Sequence, residues 1–108
     1  MDSIALNGRW SATAAGTNSG ATATKAAVTD KVIVTDHVSG QVDADSTVQL
    51  IDGSTVLAEW KIDVSVEGFS FSFINPNGWV ASRDAAVTVV IAASSSDCQV
   101  NATGFTIQ

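Results

Sequence analysis

Tyrosine is absent from this chain, and cysteine, proline, methionine and histidine each occur once in 108 residues. A lone cysteine, Cys98, closes no internal disulfide and builds no zinc cluster. It has no basic neighbour in sequence to lower its pKa, so a reactive thiol is not expected. Five Lys and Arg stand against eleven Asp and Glu, giving a formal net charge of −6. Without a basic stripe, neither nucleic acid nor an anionic membrane is an expected partner. The N-terminus, MDSIALNGRW, lacks the charged region and long apolar run of a signal peptide. The apolar run VTVVIAAS is far too short to span a bilayer. The chain therefore reads as made and folded in a cytoplasm, and the sequon at Asn101 is not expected to carry a glycan.

What is present is Val, Thr, Ser, Ala, Gly and Asp, with few strong helix formers. Hydrophobic residues make up 45% of the chain, enough for a core. β-branched residues favour strands, while Gly, Ser and Asp favour the turns between them. The small-residue segment SATAAGTNSGATATKAA offers little to anchor a core, either as a loose arm or as weak edge strands. Firm structure is expected near Val28, with residues 1–27 as an N-terminal arm and 28–108 as one domain. KVIVTDHV reads as a strand with Val32, Val34 and Val38 on one face. STVQLIDGSTVLAEW reads as a hairpin around Asp52-Gly53. Beyond it, Val56, Ala58, Trp60, Ile62, Val64 and Val66 share even positions, as in a half-buried strand. Phe69, Phe71 and Phe73 mark another. AAVTVVIAAS, Ala85 to Ser94, puts Val87, Val89 and Ile91 on one face and Val90 and Ala92 on the other. In the last strand the apolar parity changes at Gly104, as a β-bulge would cause. The fold class is all-β, a small antiparallel two-sheet sandwich.

Chemistry is hard to place on these residues. His37 has no G-x-S-x-G serine elbow to serve, so a structural or solvent role is expected. Asp43 and Asp45 point the same way in an extended segment and form a candidate calcium pair, but Ca²⁺ takes six to eight oxygens. GTNSG lacks the Lys-Ser/Thr ending of a phosphate loop. No enzyme and no cofactor are expected. The candidate structural or interface residues are Trp10 and the run Asn75, Pro76, Asn77, Gly78 and Trp79. Pro76 fixes φ, and Asn77-Gly78 suits a tight turn. Trp79 then enters the next strand, either as a plug at the sandwich end or at a subunit boundary.

The stretch from VQLIDGSTVLAEW through INPNGWVASRDAAVTVVIAASSSDCQVNATGFTI resembles the capsid decoration, or cement, proteins of tailed bacteriophages. The shared parts are the DGST hairpin at Asp52 to Thr55, the loop from Asn75 to Trp79, the strand from Ala85 to Ala93 and the closing strand from Val100 to Ile107. The Phe-rich strand before the loop departs from that pattern, and the first 27 residues match nothing in it. The resemblance implies a jelly-roll-like sandwich and a place on the outer surface of a virion. It implies the major capsid protein as partner, a homotrimer and no catalytic residues. The two-sided apolar strand from Ala85 to Ala93 agrees with self-association, since such a strand needs cover on both faces. A reading from a different class is a carbohydrate-binding sandwich or a fibre and receptor-binding domain. There Trp10, Trp60 and Trp79 would supply sugar-stacking faces, Trp10 the best exposed of them.

Overall fold

Alternating Val, Ile, Ala and Thr give eight strands, and the turns between them fall at Gly, Asp and Ser. The computed structural model describes residues 9–17, 19–92 and 97–107. The strands are β1 (Arg9–Gly16), β2 (Ala21–Lys25), β3 (Val32–Val42), β4 (Ser46–Asp52), β5 (Thr55–Ile62), β6 (Ser70–Arg83), β7 (Val87–Ile91) and β8 (Cys98–Ile107). One helical turn, α1 (Val64–Glu67), links β5 to β6. Two four-stranded antiparallel sheets form, ordered β1-β8-β3-β6 and β2-β7-β4-β5. Consecutive strands mostly cross from one sheet to the other. The all-β sandwich expected from the sequence is the observed fold.

The core lies between the sheets. Ile33, Val38, Val42, Val100 and Ala102 from the first sheet meet Val48, Leu50, Val87, Val89 and Ile91 from the second. Val87, Val89 and Ile91 point inward as their spacing predicts, and Ala93 and Ser94 of that run lie outside the described residues. The Asp52-Gly53 hairpin also forms as expected. Asp52 pairs with Thr55, and Gly53 takes φ +59°, a conformation that glycine adopts without steric cost.

Several expectations need correction. Firm structure begins by Arg9, not Val28, because β1 pairs with β8 from Arg9 to Gly16 and β2 pairs with β7 from Ala21 to Lys25. Both are edge strands, and their alanines suit the thin rims of the sandwich. Of the arm, residues 1–8 and 18 lie outside the described residues. The even-parity run beyond the hairpin stops at Ile62. Asp63 then caps α1, accepting from Ser65 N at 3.0 Å and Ser65 Oγ at 2.6 Å. The Ser65 hydroxyl, and then its backbone N–H, hold the Asp63 carboxyl below its ordinary value. The cap is therefore complete at neutral pH and weakens as pH falls through that lowered value. Local capping outcompetes strand propensity here because the segment leaves an edge strand. Phe69 precedes β6 and is exposed, leaving Phe71 and Phe73 as the inward pair.

The face assignment in β3 also differs. Its pairing with both neighbours shifts between Thr35 and His37, so Asp36 is an extra residue that reverses the parity. Ile33, Val38 and Val42 point inward. Val32 and Val34 lie on the outer face, in register with Ile107 and Phe105 of β8. The bulge is in β3, and β8 runs past it without a break against β1. The change of apolar parity at Gly104 thus reports a second apolar face, not a bulge in β8.

Candidate interaction surface

The Asn75–Gly78 run is not a loop between strands. It lies inside β6, where Ile74 pairs with His37 and Trp79 with Thr35. Four residues therefore stand opposite Asp36 alone, and the chain arches out from an edge strand. An edge is where a sheet tolerates proline, since no ladder hydrogen bond is lost. Asn75 Oδ1 accepts from Asn77 N at 3.1 Å, which closes the arch. Gly78 takes φ +80° and lies over Val34, where a methyl group would fall on Val34 Cγ1. That contact helps explain why Val34, outside the core cluster, is only 2% exposed.

The arch overhangs a shallow depression of about 270 Å³ on the outer face of the first sheet. Arg9, Asp36, His37, Ile74, Pro76 and Thr103 line it. Asp36 accepts from Arg9 Nη1 at 2.9 Å and from Thr103 Oγ1 at 3.3 Å. His37 Nε2 hydrogen-bonds Ser72 Oγ at 2.7 Å across β3 and β6. Sequence spacing gave no hint of this Ser-His contact, because 35 residues separate the pair. Among the described hydrogen bonds no carboxylate orients the other His37 nitrogen. Ser72 lies on an open strand edge, with no turn placing backbone donors around it.

The tryptophans do not form platforms. Trp79 points inward beside Trp60, ring centroids 5.3 Å apart and near perpendicular. Trp60 stacks on Phe73 at 4.4 Å. Together with Phe71 these rings close the open side between β5 and β6, the edge strands of the two sheets. Trp10, expected to be the best exposed, is half-buried and packed on the core. It faces Gly104 across β1 and β8 and donates Nε1–H to the Phe105 carbonyl at 3.3 Å. A Cβ at Gly104 would fall on the Val34 carbonyl oxygen and come within 2.9 Å of Trp10 Cζ2, so glycine admits the β3 backbone and the indole.

The candidate calcium pair is split. Asp45 Oδ1 accepts from Val64 N at 3.0 Å. Asp43 lines a different depression with Gln41, Asp97 and Cys98. Among the described residues no group of three His, Cys, Asp or Glu is placed to hold a metal. Cys98 is buried, with Sγ 3.4 Å from the Ser19 carbonyl. Burial raises its pKa, and the nearby Asp97 and Asp43 charges add to the rise against a hydrogen bond from the Gly16 backbone. Cys98 in the folded protein is expected to react with iodoacetamide at pH 8 at least about tenfold more slowly than in denaturant. Mass spectrometry of timed aliquots reads this, and equal rates would contradict its burial.

The largest exposed apolar residues of the first sheet cluster. Val80 is 55% and Ile107 44% exposed, and Ile74 lies further along β6 at 68%. Val80 and Phe105 both register with Val34, and Ile107 registers with Val32. These side chains form one patch on the outer face. The two-sided strand expected over Ala85 to Ala93 is a weaker candidate. Val90 is half-buried, and its outer-face partners across the sheet are Thr22 and Gln49.

The molecule is thus an all-β sandwich whose notable surface is an apolar face beside an arched edge strand. No protein-family model and no curated protein matches the chain. Among solved structures, it is similar to a chain of the acid-stable capsid of Helicobacter pylori bacteriophage KHP30. The TM-score is 0.55 at 10% identity, covering 93% of each chain. It is also similar to the module CsCBM6-3 of Clostridium stercorarium in complex with cellobiose, at TM-score 0.49 and 17% identity, covering 86% of this chain and 72% of that one. A third match is the insecticidal crystal protein Cry2Aa, at TM-score 0.47 and 16% identity, covering 83% of this chain and 16% of that one. At 10% identity the likeness to the capsid chain is one of fold alone.

Proposed function

We propose that this chain is a structural protein of a bacteriophage virion, a decoration protein that binds the outer surface of the head and stabilises the shell. The observation that supports it best is the full-length likeness to a phage capsid chain, with 93% of both chains covered. The sequence resemblance to phage decoration proteins points the same way. The role is non-enzymatic, its partners are the major capsid protein and other copies of the same chain as a trimer, and its chemistry is surface complementarity. Such a protein stabilises by mass action, because it binds the assembled shell and not the separated subunits. At a free concentration of about 100 times Kd, that linkage is worth about 2.7 kcal/mol per site. Among the described residues, the half-buried tryptophans and the placing of Asp43 and Asp45 in different depressions support this reading over a carbohydrate-binding one.

Purified protein added to heads that lack it is expected to co-sediment with them at saturable stoichiometry and to raise their disruption temperature. His37→Ala and Cys98→Ser are expected to bind equally well. Failure to bind heads of the phage that encodes the chain would refute the proposal. Loss of binding in a folded His37→Ala protein would instead give the depression around Asp36 a direct role.

A further inference from the structure

Charge is distributed unevenly along the sandwich. At one end lie the β4–β5 hairpin, the β2–β3 and β6–β7 connections, and the apolar patch. Among the described residues this end carries Asp30, Asp52 and Asp84 against Lys25, Lys31 and Arg83, so it is neutral. The opposite end carries Asp43, Asp45, Asp63 and Asp97 against Lys61. Among the described residues the acidic excess therefore sits away from the patch. Arg9, in register with Phe105 at the patch border, is paired with Asp36.

The neutral end is also held in shape. Asp84 N donates to the Lys31 carbonyl at 3.0 Å, and Arg83 Nη1 donates to the Asp30 carbonyl at 2.7 Å. The Asp84 carboxylate accepts from Asp30 N. Asp30 and Asp84 both take φ 62°, a left-handed conformation that aspartate tolerates better than most residues. Ser82 ties this end across the sandwich, donating its N–H and its hydroxyl to Asp52 Oδ2, each at 2.8 Å.

We infer that the outer-face patch of Val32, Val80, Phe105 and Ile107 is the surface on which a second copy of this chain docks. Three features select a copy of the same chain. The patch is apolar, whereas the outer face beyond the Asp36 depression, with its Arg9, His37 and Ile74, carries polar residues such as Ser39, Ser72, Gln99 and Asn101. Its rim holds both signs in equal number, so Arg83 and Lys31 of one copy can meet Asp30 and Asp84 of another. A rim of that kind is self-complementary under a closed rotation. Finally, docking through this end keeps the acidic ends apart, on a molecule 44 Å long. Contact between two acidic ends would set like charges against each other within a Debye length.

This inference rests on the head-surface proposal for its biological setting and moves the self-contact from the Ala85–Ala93 strand to the first sheet. Light scattering coupled to size exclusion tests it on the full chain, with Val80→Glu, Ile107→Asp and, at the acidic end, Val66→Glu. Val66 is 79% exposed and distant from the patch. The parent is expected at a fixed multiple of 11.1 kDa. Val80→Glu and Ile107→Asp, both at exposed positions, are expected to keep the β-type circular dichroism spectrum and weaken association at least about a hundredfold. Val66→Glu is expected to assemble as the parent does. A monomeric parent overturns the inference, as does an assembly that both patch variants leave intact. A monomeric parent that binds heads, and loses them with Val80→Glu, would assign the patch to the shell and leave the decoration proposal standing. Assembly that breaks in both patch variants, in a protein that binds no heads, would support the interface and refute the decoration role.

Discussion

Deleting residues 1–20 is expected to abolish cooperative folding. Read as an arm, the segment would be dispensable, but the structure makes Arg9–Gly16 a full edge strand. Its eight residues pair with β8 from Phe105 to Cys98, and Trp10, Ala12 and Ala14 pack against the core. Truncation strips cover from Val100 and Ala102, which are almost completely buried in the intact chain. Losing a packed tryptophan alone costs about 3–5 kcal/mol. The strand's other contacts bring the loss to at least about 5 kcal/mol, comparable with the whole stability of many small domains. The deletion also bares β8 as a new sheet edge, which invites aggregation. Circular dichroism and urea denaturation read the result. A truncated protein with the parental β spectrum and an unchanged midpoint would show that β1 contributes nothing to the fold.

Trp60→Ala is expected to destabilise the protein by about 3 kcal/mol, near the lower end of the range for core tryptophans because the ring is only half-buried. The indole does more than fill volume. It stacks on Phe73 at 4.4 Å and meets Trp79 edge-on, linking β5 of one sheet to β6 of the other. Such aromatic pairs add about 0.5–1.5 kcal/mol beyond the area they bury. Trp60→Phe is expected to recover part of the loss, since a smaller ring can still stack. Urea midpoints and the near-ultraviolet dichroism of the cluster give both readouts. An alanine variant as stable as the parent would mean that the cluster does not bridge the sheets.

The strands with clean alternation were legible one by one. Val87, Val89 and Ile91 needed only period two to declare a buried face, and Asp52-Gly53 needed only turn chemistry to place the hairpin. Residues 9–25 were harder. Alanine and threonine carry little hydrophobic signal, and such strands gain their stability from the neighbours they lie against. The Asn75–Gly78 run contains the residues of a turn, and it does turn. Its turn is an arch within one long strand, because β3 pairs with the chain both before it at Ile74 and after it at Trp79. Long-range pairing of that kind leaves no mark on local composition.

The depression around Asp36 was illegible for the same reason. Arg9, Asp36, His37, Ser72 and Thr103 come from four strands, and register alone brings them together. Sequence by itself determined the all-β class, the inward face of β7, the tight hairpin and the absence of a basic binding stripe. These follow from side-chain period, turn propensity and charge, which are local or summed properties. Tertiary structure decided which face Val32 and Val34 occupy, because one extra residue, Asp36, reverses the parity of β3. It also decided that the chain's neutral end and its exposed apolar patch coincide, since only folding sets charges from separate turns beside one another.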